Sequence, residues 1–344
     1  MEIVRAGEEG QTISREDIIF LLSTAEEEEK EDLFKTADRV RHSCVGDEVY
    51  LRAIVEFSNF CVQDCLYCGL RRGNDRIPRY RMTPSEIVEA AKNAQSLNFA
   101  TVVLQSGEDP WFTRERMARL IREIKEQTNL VITLSLGERS YQDYQAWKEA
   151  GADRFLLKQE TSSASLYEKL RPGKRLLERI QCLQWLKDLG YQTGSGNIVG
   201  LPGQALEDLA EDILFFREFD FDMVGIGPFI AHPKTPLGGA ANGALDLTLK
   251  VLAVTRIVTR DTNLPATTAV GTLSPDGRRK ALRAGANVVM PDLTPWGYRQ
   301  YYEIYPGKVR VKEQGHWKGI SLPSGRTWGK GPGNRIRSPK GSQL

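Results

Sequence analysis

Short apolar segments alternate with amphipathic helical segments along most of this chain, and this alternation constrains the fold more than any other feature. Eight predicted strands occupy residues 49–57, 100–104, 130–134, 154–157, 192–199, 223–228, 266–270 and 287–290. Strands that alternate with helices are typical of βαβ units and a parallel sheet. A count of eight favours a closed (β/α)8 barrel of the TIM type over an open doubly wound sheet. We therefore predict an α/β protein with a single barrel over residues 49–312.

Both ends of the chain fall outside this alternation. Residues 14–42 have apolar positions at helical spacing, so residues 1–48 are predicted to form a helical extension. Residues 313–344 are rich in Gly, Pro and basic residues, which predicts an irregular tail. A net charge of +2 gives no reason to expect nucleic acid, and no apolar run approaches the ~20 residues of a membrane span. No secretory signal is found, so a cytoplasmic location is expected.

Three cysteines follow the first predicted strand with the spacing CxxxCxxC: Cys61, Cys65 and Cys68. Cysteine thiolates hold 4Fe–4S clusters, usually four to a cluster, and no fourth cysteine follows here. Three ligands leave one iron open to a bound molecule, and we predict a cluster of this kind. The alternatives are a structural zinc site with Cys44 or Cys182 as the fourth ligand, and inert or disulfide-bonded thiols. Both of these other cysteines are expected to be buried apolar residues.

Polar residues at the C-terminal ends of the strands are further candidates, because barrel active sites form there. They are Glu108, Asp109, Thr133, Ser135, Lys158, Glu160, Thr267 and Thr268. Several have structural alternatives: an acid at 108–109 can cap a helix, and Lys158 can pair with Glu160. Two adjacent threonines can both serve a site only at a bulge or a strand end. His232 is expected on a surface loop.

The cysteine spacing, with the aromatic Tyr67 just before the last cysteine, resembles the signature of the radical S-adenosylmethionine (SAM) superfamily. In that superfamily the open iron binds the amino and carboxylate groups of SAM. The reduced cluster passes one electron to the sulfonium, and a 5′-deoxyadenosyl radical results. The resemblance therefore implies an enzyme whose cofactors are a 4Fe–4S cluster and SAM.

Longer stretches resemble the HydE family of FeFe-hydrogenase maturases. They include YCGLRR at 67–72, RYRMT at 79–83, VLQSGEDP at 103–110 and TLSLGE at 133–138. Further matches lie at 54–59, 222–229, 265–271 and 305–308, so the resemblance spans residues 32–312. The methylornithine synthase PylB is the next best resemblance, through residues 107–110 and 159–161. Many HydE sequences carry further cysteines near the C-terminus for an auxiliary cluster; none follows Cys182, so one cluster is expected.

The resemblance also assigns candidate roles to individual residues. Those expected to contact SAM are Tyr67, Gly107, Glu108, Asp109, Thr133, Ser135, Glu160 and Arg179. Those expected to bind substrate deeper in the barrel are Arg52, Lys158, Thr267, Thr268 and Tyr305. Their cationic and hydroxyl groups suit a small anionic or organometallic substrate with cyanide, carbonyl or carboxylate groups. Lys158 stands where the resemblance implies Arg, so the rigid guanidinium fork is absent.

The resemblance implies an enzyme that acts in maturation of the hydrogenase active site, the H-cluster. The adenosyl radical would attack sulfur in a precursor whose iron carries cysteine, CO and CN ligands. The alternative enzyme is an amino-acid mutase of the methylornithine synthase type, and a non-catalytic iron–sulfur carrier or scaffold is the alternative from another class. Expected interactions are transient contacts with other hydrogenase maturases and a ferredoxin or flavodoxin reductant, without nucleic acid or membrane.

Overall fold

Strands and helices alternate in the computed structural model, which describes residues 2–308 and 322–333. The helices in these ranges are α1 (Glu2–Glu8), α2 (Arg15–Ser23), α3 (Glu27–Val45), α4 (Pro84–Ser96), α5 (Arg114–Gln127), α6 (Tyr141–Glu149), α7 (Ala164–Leu170), α8 (Leu176–Asp188), α9 (Leu206–Phe219), α10 (Leu245–Thr259), α11 (Thr268–Leu273), α12 (Gly277–Arg283) and α13 (Trp296–Arg299). The strands are β1 (Glu48–Leu51), β2 (Ala53–Ser58), β3 (Thr101–Ser106), β4 (Val131–Ser135), β5 (Arg154–Leu156), β6 (Gln192–Ser195), β7 (Ile198–Val199), β8 (Met223–Val224), β9 (Gly227–Pro228), β10 (Val288–Val289) and β11 (Thr327–Gly329). Sequence signals set some helix starts: Thr83 and Glu86 form a capping box before α4.

Six parallel strands form the main sheet, in the order β2-β3-β4-β5-β6-β8. β1 leads into β2 with only Arg52 between them, and it pairs with β10 and β11. Isolated parallel bridges continue the ladder from Met223 to Asn263 and from Pro265 to Val288. Parallel strands that are connected through helices confirm the predicted α/β class.

The seventh predicted strand, residues 266–270, is wrong. Residues from Thr268 onward form helix α11, and the bridges at Asn263 and Pro265 continue the ladder before them. The backbone N–H of Ala266 still donates to the carbonyl of Val288 at 2.8 Å, and Thr267 then takes the N-cap position of α11. The chain therefore leaves the sheet just after Ala266. The last predicted helix, residues 298–305, is also shorter than expected, because α13 ends at Arg299.

The N-terminal segment is helical and packs on the outside of the strand–helix core. Helix α3 contacts α10, and its apolar residues Leu33, Ala37 and Val40 join the same hydrophobic core as the strands. Lys250 of α10 donates a hydrogen bond to the carbonyl of Thr24 at 2.8 Å. In the described ranges, no helix is long and apolar enough to cross a membrane.

Part of the predicted irregular tail is ordered against the strands. Residues 309–321 and 334–344 lie outside the described ranges, but β11 within the tail pairs in parallel with β1. Beyond β11, the carbonyls of Pro332 and Gly333 accept hydrogen bonds from Arg154 and Arg52, both at 2.9 Å. Buried guanidinium groups need acceptors. The tail supplies these acceptors at the end of the sheet where the strands begin. The composition of the tail did not predict this packing.

Candidate active site

One guanidinium organises the loop that carries the three cysteines between β2 and α4. Arg79 donates hydrogen bonds to the carbonyls of Leu70 at 2.9 Å, Arg71 at 2.8 Å and Asn74 at 3.0 Å. It also donates to the carbonyl of Asn59. Because a guanidinium presents several donors in a fixed plane, Arg79 fixes the path of the loop around the cysteines. In the sequence, Arg79 is marked only by the RYRMT stretch in which it lies.

The thiol groups of Cys61, Cys65 and Cys68 interact electrostatically with one another. Burial raises the pKa of Cys61 to about 11. Burial, followed by the proximity of Cys65 and Cys61, also raises the pKa of Cys68. Buried thiolates that repel one another need a positive partner, and iron supplies it, since metal binding deprotonates coordinating thiols. These three donors therefore fit a cluster with three cysteine ligands.

The other two cysteines lie on helices, Cys44 on α3 and Cys182 on α8, rather than on the loop. Within residues 2–308 and 322–333, no group of three or more His, Cys, Asp or Glu side chains is arranged to hold one metal ion. A four-iron cluster does not require three thiolates to converge on one atom, because each thiolate binds a different iron.

Gly107 lets the end of β3 approach the cysteine loop. A Cβ atom at this position would lie 2.2 Å from the carbonyl oxygen of Phe60 and 2.8 Å from the Cβ of Cys61. Both distances are too short for any side chain, so the close approach requires glycine. Gly107 therefore lies against the cysteine loop, and the approach of that loop accounts for the glycine.

Asp109 holds the cysteine loop in place, whereas the sequence predicted a contact with SAM. Its fully buried carboxylate accepts hydrogen bonds from Arg81 at 2.6 and 3.0 Å and from the hydroxyl of Ser58 at 2.6 Å. The backbone N–H of Trp111 adds a further bond at 3.1 Å. These four donors use the acceptor capacity of the carboxylate, so little remains for a ligand.

The substitution Asp109→Asn is expected to destabilise the protein by about 3 kcal/mol, because it breaks a buried, hydrogen-bonded ion pair. Urea unfolding would measure the change. Glu89→Gln is the matched control: its partner Lys92 lies 2.7 Å away, but both side chains are exposed, at 68% and 43%. The control is expected to cost less than about 1 kcal/mol. Unchanged stability with weaker SAM binding in Asp109→Asn would instead support a direct contact.

A buried ionic network lies between the ends of β3, β4 and helix α8. Arg179 lies 2.9 Å from Glu138 and 3.8 Å from Glu108, and its Nε donates to the hydroxyl of Tyr167 at 3.2 Å. Lys174 bonds Glu138 at 3.0 Å. Burial works against ionisation of Glu138, but Arg179 and Arg171 hold its pKa below the usual value. The Nη2 atom of Arg179 is buried without a hydrogen-bond partner. Arg179 therefore keeps a donor for a ligand carboxylate. The sequence did not single out Glu138, although it lies in the TLSLGE stretch.

Glu160, at the end of β5, has an unusual backbone conformation. Its φ of 70° lies in the left-handed region, which non-glycine residues adopt rarely and often at functional sites. Its carboxylate lies 3.2 Å from the ammonium of Lys158. The ion pair between Glu160 and Lys158, which is the structural alternative to a role in ligand binding, therefore does form. On β4, the hydroxyl of Thr133 is buried without a partner, and Ser135 is half-buried at the strand end.

A cavity of about 280 Å³ opens among the C-terminal ends of the strands. Of the sequence-predicted site residues it is lined by Tyr67, Cys68, Lys158, Glu160, Thr267, Thr268 and Tyr305. Some cavity residues are two positions apart in the sequence, such as Ile54 and Glu56. Side chains alternate between the two faces of a strand, so these residues lie on the same face. The predicted SAM residues Gly107, Glu108, Asp109, Thr133, Ser135 and Arg179 do not line it. The cavity therefore unites one cysteine with most of the predicted substrate residues.

Arg52 does not reach this cavity, and the prediction that it binds substrate there is wrong. Its guanidinium is buried and donates to the carbonyl of Gly333 and towards the sulfur of Met223 at 3.3 Å. Arg52 precedes the cavity residues Ile54 and Glu56 on the same face of the strand. It therefore lies nearer the N-terminal end of the strand, beneath the cavity.

The two adjacent threonines both line the cavity because they lie where the chain leaves the sheet. The hydroxyl of Thr267 donates to the carbonyl of Ile226 at 3.2 Å. The hydroxyl oxygen of Thr268 accepts a hydrogen bond from Arg278 at 3.4 Å, which leaves its own proton for a ligand. Burial raises the pKa of Tyr305, the next cavity residue, to about 12, so its phenol stays neutral.

Sequence reasoning missed three charged residues in the cavity wall: Glu56, Asp292 and Lys308. Lys308 forms an ion pair with Glu56 and lies 3.5 Å from Asp292. Burial, followed by the neighbouring Asp292, raises the pKa of Glu56 to about 8. The only signal in the sequence was a Glu within an otherwise apolar strand. His232 also differs from expectation: it is 1% exposed and packs beside Gly69, rather than on the surface.

Known proteins resemble this chain in sequence and fold. The profile of the radical SAM superfamily matches residues 55–216. The [FeFe] hydrogenase maturase subunit HydE of Thermotoga maritima is 53% identical over 306 residues, which cover 89% of this chain and 88% of the relative. The 3-methylornithine synthase of Methanosarcina acetivorans is 32% identical over 283 residues, or 82% of this chain and 80% of the relative. A crystal structure of methylornithine synthase (PylB) has a TM-score of 0.79 at 31% identity, covering 84% and 85% of the two chains.

These similarities agree with the geometry of the site. The superfamily match begins in β2 and includes all three cysteines of the loop. The match and the HydE relative make this protein a SAM-dependent radical enzyme whose cofactors are a 4Fe–4S cluster and SAM. The relative at 53% identity extends over nearly the whole chain. The chain therefore belongs to the radical SAM superfamily and, within it, to the HydE family of FeFe-hydrogenase maturases.

Proposed function

We propose that this enzyme remodels an iron-bound precursor of the hydrogenase active site that carries cysteine, CO and CN ligands. The observation that supports this proposal is the cavity, whose wall contains Cys68 and Tyr67 as well as Lys158, Thr268 and Tyr305. A ligand bound there lies between the cysteine loop and a wall of cationic and hydroxyl groups. Such a wall suits a small anion with cyanide, carbonyl or carboxylate groups.

When bound, the cluster and SAM supply a 5′-deoxyadenosyl radical for attack at the sulfur of the precursor. The chain's own residues bind and orient SAM. Arg179 has an unpaired donor at Nη2 for the SAM carboxylate, and Glu108 lies 3.8 Å from it. Glu160, at the cavity edge, accepts from ribose hydroxyls, and Thr133 and Ser135 offer hydroxyls at the end of β4.

Removing the side chain in Arg179→Ala is expected to weaken SAM binding by on the order of 1.5–3 kcal/mol, the worth of a hydrogen bond to a charged group. Isothermal titration of the reconstituted protein would measure this loss. Lys174→Ala is the control, because it also removes a partner of Glu138, at 3.0 Å, but is not assigned to SAM. Equal SAM affinity in Arg179→Ala and the wild type would reject the proposed contact.

The proposed function can be tested by complementation. Extracts that lack this protein are expected to leave apo-hydrogenase inactive, and adding the reconstituted enzyme should restore activity. The second candidate is a methylornithine-type mutase, which the 31% identity and TM-score of 0.79 to the PylB structure favour. Lysine consumption without hydrogenase activation would support the mutase. Iron binding without any SAM cleavage under reducing conditions would support the remaining alternative, a non-catalytic iron–sulfur carrier.

The proposal extends to architecture and interactions. The bridges at Asn263 and Pro265, with the pairing of β10 to β1, support a closed eight-stranded barrel over residues 49–312. The helical segment 1–48 and the tail 313–344 would then flank that barrel. We expect a cytoplasmic location, transient contacts with other hydrogenase maturases, and ferredoxin or flavodoxin as reductant. Oxygen-sensitive thiolate chemistry suits such a reducing compartment.

A further inference from the structure

Glu56 is a buried carboxyl group in the cavity wall, and one of its oxygens has no hydrogen-bond partner. It lies on β2, and its side chain is 2% exposed. One carboxylate oxygen, Oε1, accepts from the ammonium of Lys308, whereas Oε2 is buried without a hydrogen-bond partner. A buried carboxylate oxygen without a donor is costly. The radical SAM chemistry described above does not use this group.

Two carboxyl groups share one lysine at this end of the cavity. Asp292 also lines it and lies 3.5 Å from Lys308. Arg299 lies 3.5 Å from Asp292, but its Nε and Nη2 atoms donate to the carbonyl of Thr294 at 3.1 and 2.9 Å. The remaining titratable groups that face Glu56 are the phenols of Tyr80, Tyr302 and Tyr305, all neutral because burial raises the pKa of each. This end of the cavity is therefore rich in acceptors.

The cavity wall also contains the opposite kind of group. Lys158 and the hydroxyl of Thr268 line it, and Arg278 donates to that hydroxyl at 3.4 Å. One set of groups therefore suits an anionic part of a ligand, whereas Glu56 and Asp292 suit a part that donates N–H hydrogen bonds. A molecule that carries both an anionic group and an ammonium group satisfies both sets. A ligand with only negative charge offers no donor to the carboxylate form of Glu56.

We propose that Glu56, together with Asp292, binds the amino or ammonium group of the substrate, and that the cavity selects molecules with an amino-acid moiety. The proposal rests on the proposed function, because it adds a specificity residue to the same substrate cavity. Glu56 retains a proton in the empty cavity, since burial and Asp292 raise its pKa to about 8. An ammonium group that enters replaces this proton as the positive partner of the two carboxyl groups.

Two matched probes isolate the ammonium group: S-methyl-L-cysteine, and 3-(methylthio)propionate, which lacks only the amine. Isothermal titration would use the reconstituted enzyme with saturating SAM, so that the open iron is occupied. Wild-type enzyme is expected to bind the amino acid on the order of 10-fold more tightly, the worth of a charged hydrogen bond. The preference should grow between pH 6 and pH 8, as Glu56 loses its proton more readily.

Glu56→Gln is expected to remove both the preference and its pH dependence, while the affinity for 3-(methylthio)propionate stays within about threefold of wild type. That retained affinity is the control for an intact cavity. If Glu56→Gln binds neither probe, Asp292→Asn takes its place and is expected to reduce the preference in the same way. Equal binding of both probes by the wild type, or a full preference in these variants, would overturn the proposal. Neither measurement depends on hydrogenase activation, so failure of the proposed function is seen separately.

Discussion

Alanine at any one of Cys61, Cys65 or Cys68 is expected to abolish both the iron–sulfur cluster and hydrogenase activation. The three thiols lie on one loop, which Arg79 fixes through the carbonyls of Leu70, Arg71 and Asn74. Since no fourth cysteine follows on the loop, losing one ligand leaves two thiolates for four irons. Iron and sulfide analysis after anaerobic reconstitution would measure cluster loss, and SAM cleavage would fall to background.

The matched control for these variants is Cys44→Ala combined with Cys182→Ala. Both residues lie on helices, and Cys182 is buried, so neither is placed to act as a ligand to the cluster. The double variant is expected to keep about four irons per chain. Loss of iron from this variant, or full iron content in Cys65→Ala, would contradict the assignment of three ligands.

Sequence periodicity predicted the α/β class because the alternation of side chains along strands and helices is a local property. It failed at residues 266–270, where an apolar run with two threonines resembles a strand. The structure shows that the ladder ends with the bridge from Pro265 to Val288, and that Thr267 takes the N-cap position of helix α11. The apolar pattern alone does not reveal where the strand ends and the helix begins.

The level of a residue along the strands, and so its distance from the cavity, cannot be read from one sequence. Alternation correctly places Arg52 on the same face of the strand as Ile54 and Glu56, but it does not show which of them reaches the active site. That depends on the register between strands and on the tail, whose Gly333 carbonyl takes up the guanidinium of Arg52. The sequence-based prediction therefore chose Arg52, whereas Glu56 lines the cavity.

The charged cluster in the cavity wall shows a second limit of sequence reasoning. Glu56, Asp292 and Lys308 come from separate segments of the chain and meet only in the folded protein. None of them belongs to a motif with a fixed spacing, in contrast to the three cysteines. The cysteines form a recognisable motif because all three lie within eight residues, 61–68. Long-range clusters require the fold to be known first.

The combined substitution Thr267→Val with Thr268→Val is expected to abolish hydrogenase activation and to leave SAM binding intact. Valine keeps the shape of threonine but removes both hydroxyl groups from the cavity wall. The single variants should differ, because Thr267 already donates to the carbonyl of Ile226 at 3.2 Å, whereas the proton of Thr268 is available to a ligand. Thr268→Val is therefore expected to account for most of the loss of activity.

Three measurements on the threonine variants separate substrate binding from the other functions of the enzyme. Hydrogenase activation reports on the substrate site, titration with SAM reports on the cofactor site, and thermal unfolding reports on the lost bond from Thr267 to Ile226. We expect Thr267→Val to lower stability by about 1 kcal/mol, the usual worth of one hydrogen bond, and to keep most of the activity. Full activation by the double variant would refute the proposed substrate site. A larger loss in Thr267→Val than in Thr268→Val would instead make Thr267 the residue that contacts the ligand, because its hydroxyl would have to turn away from Ile226 to do so.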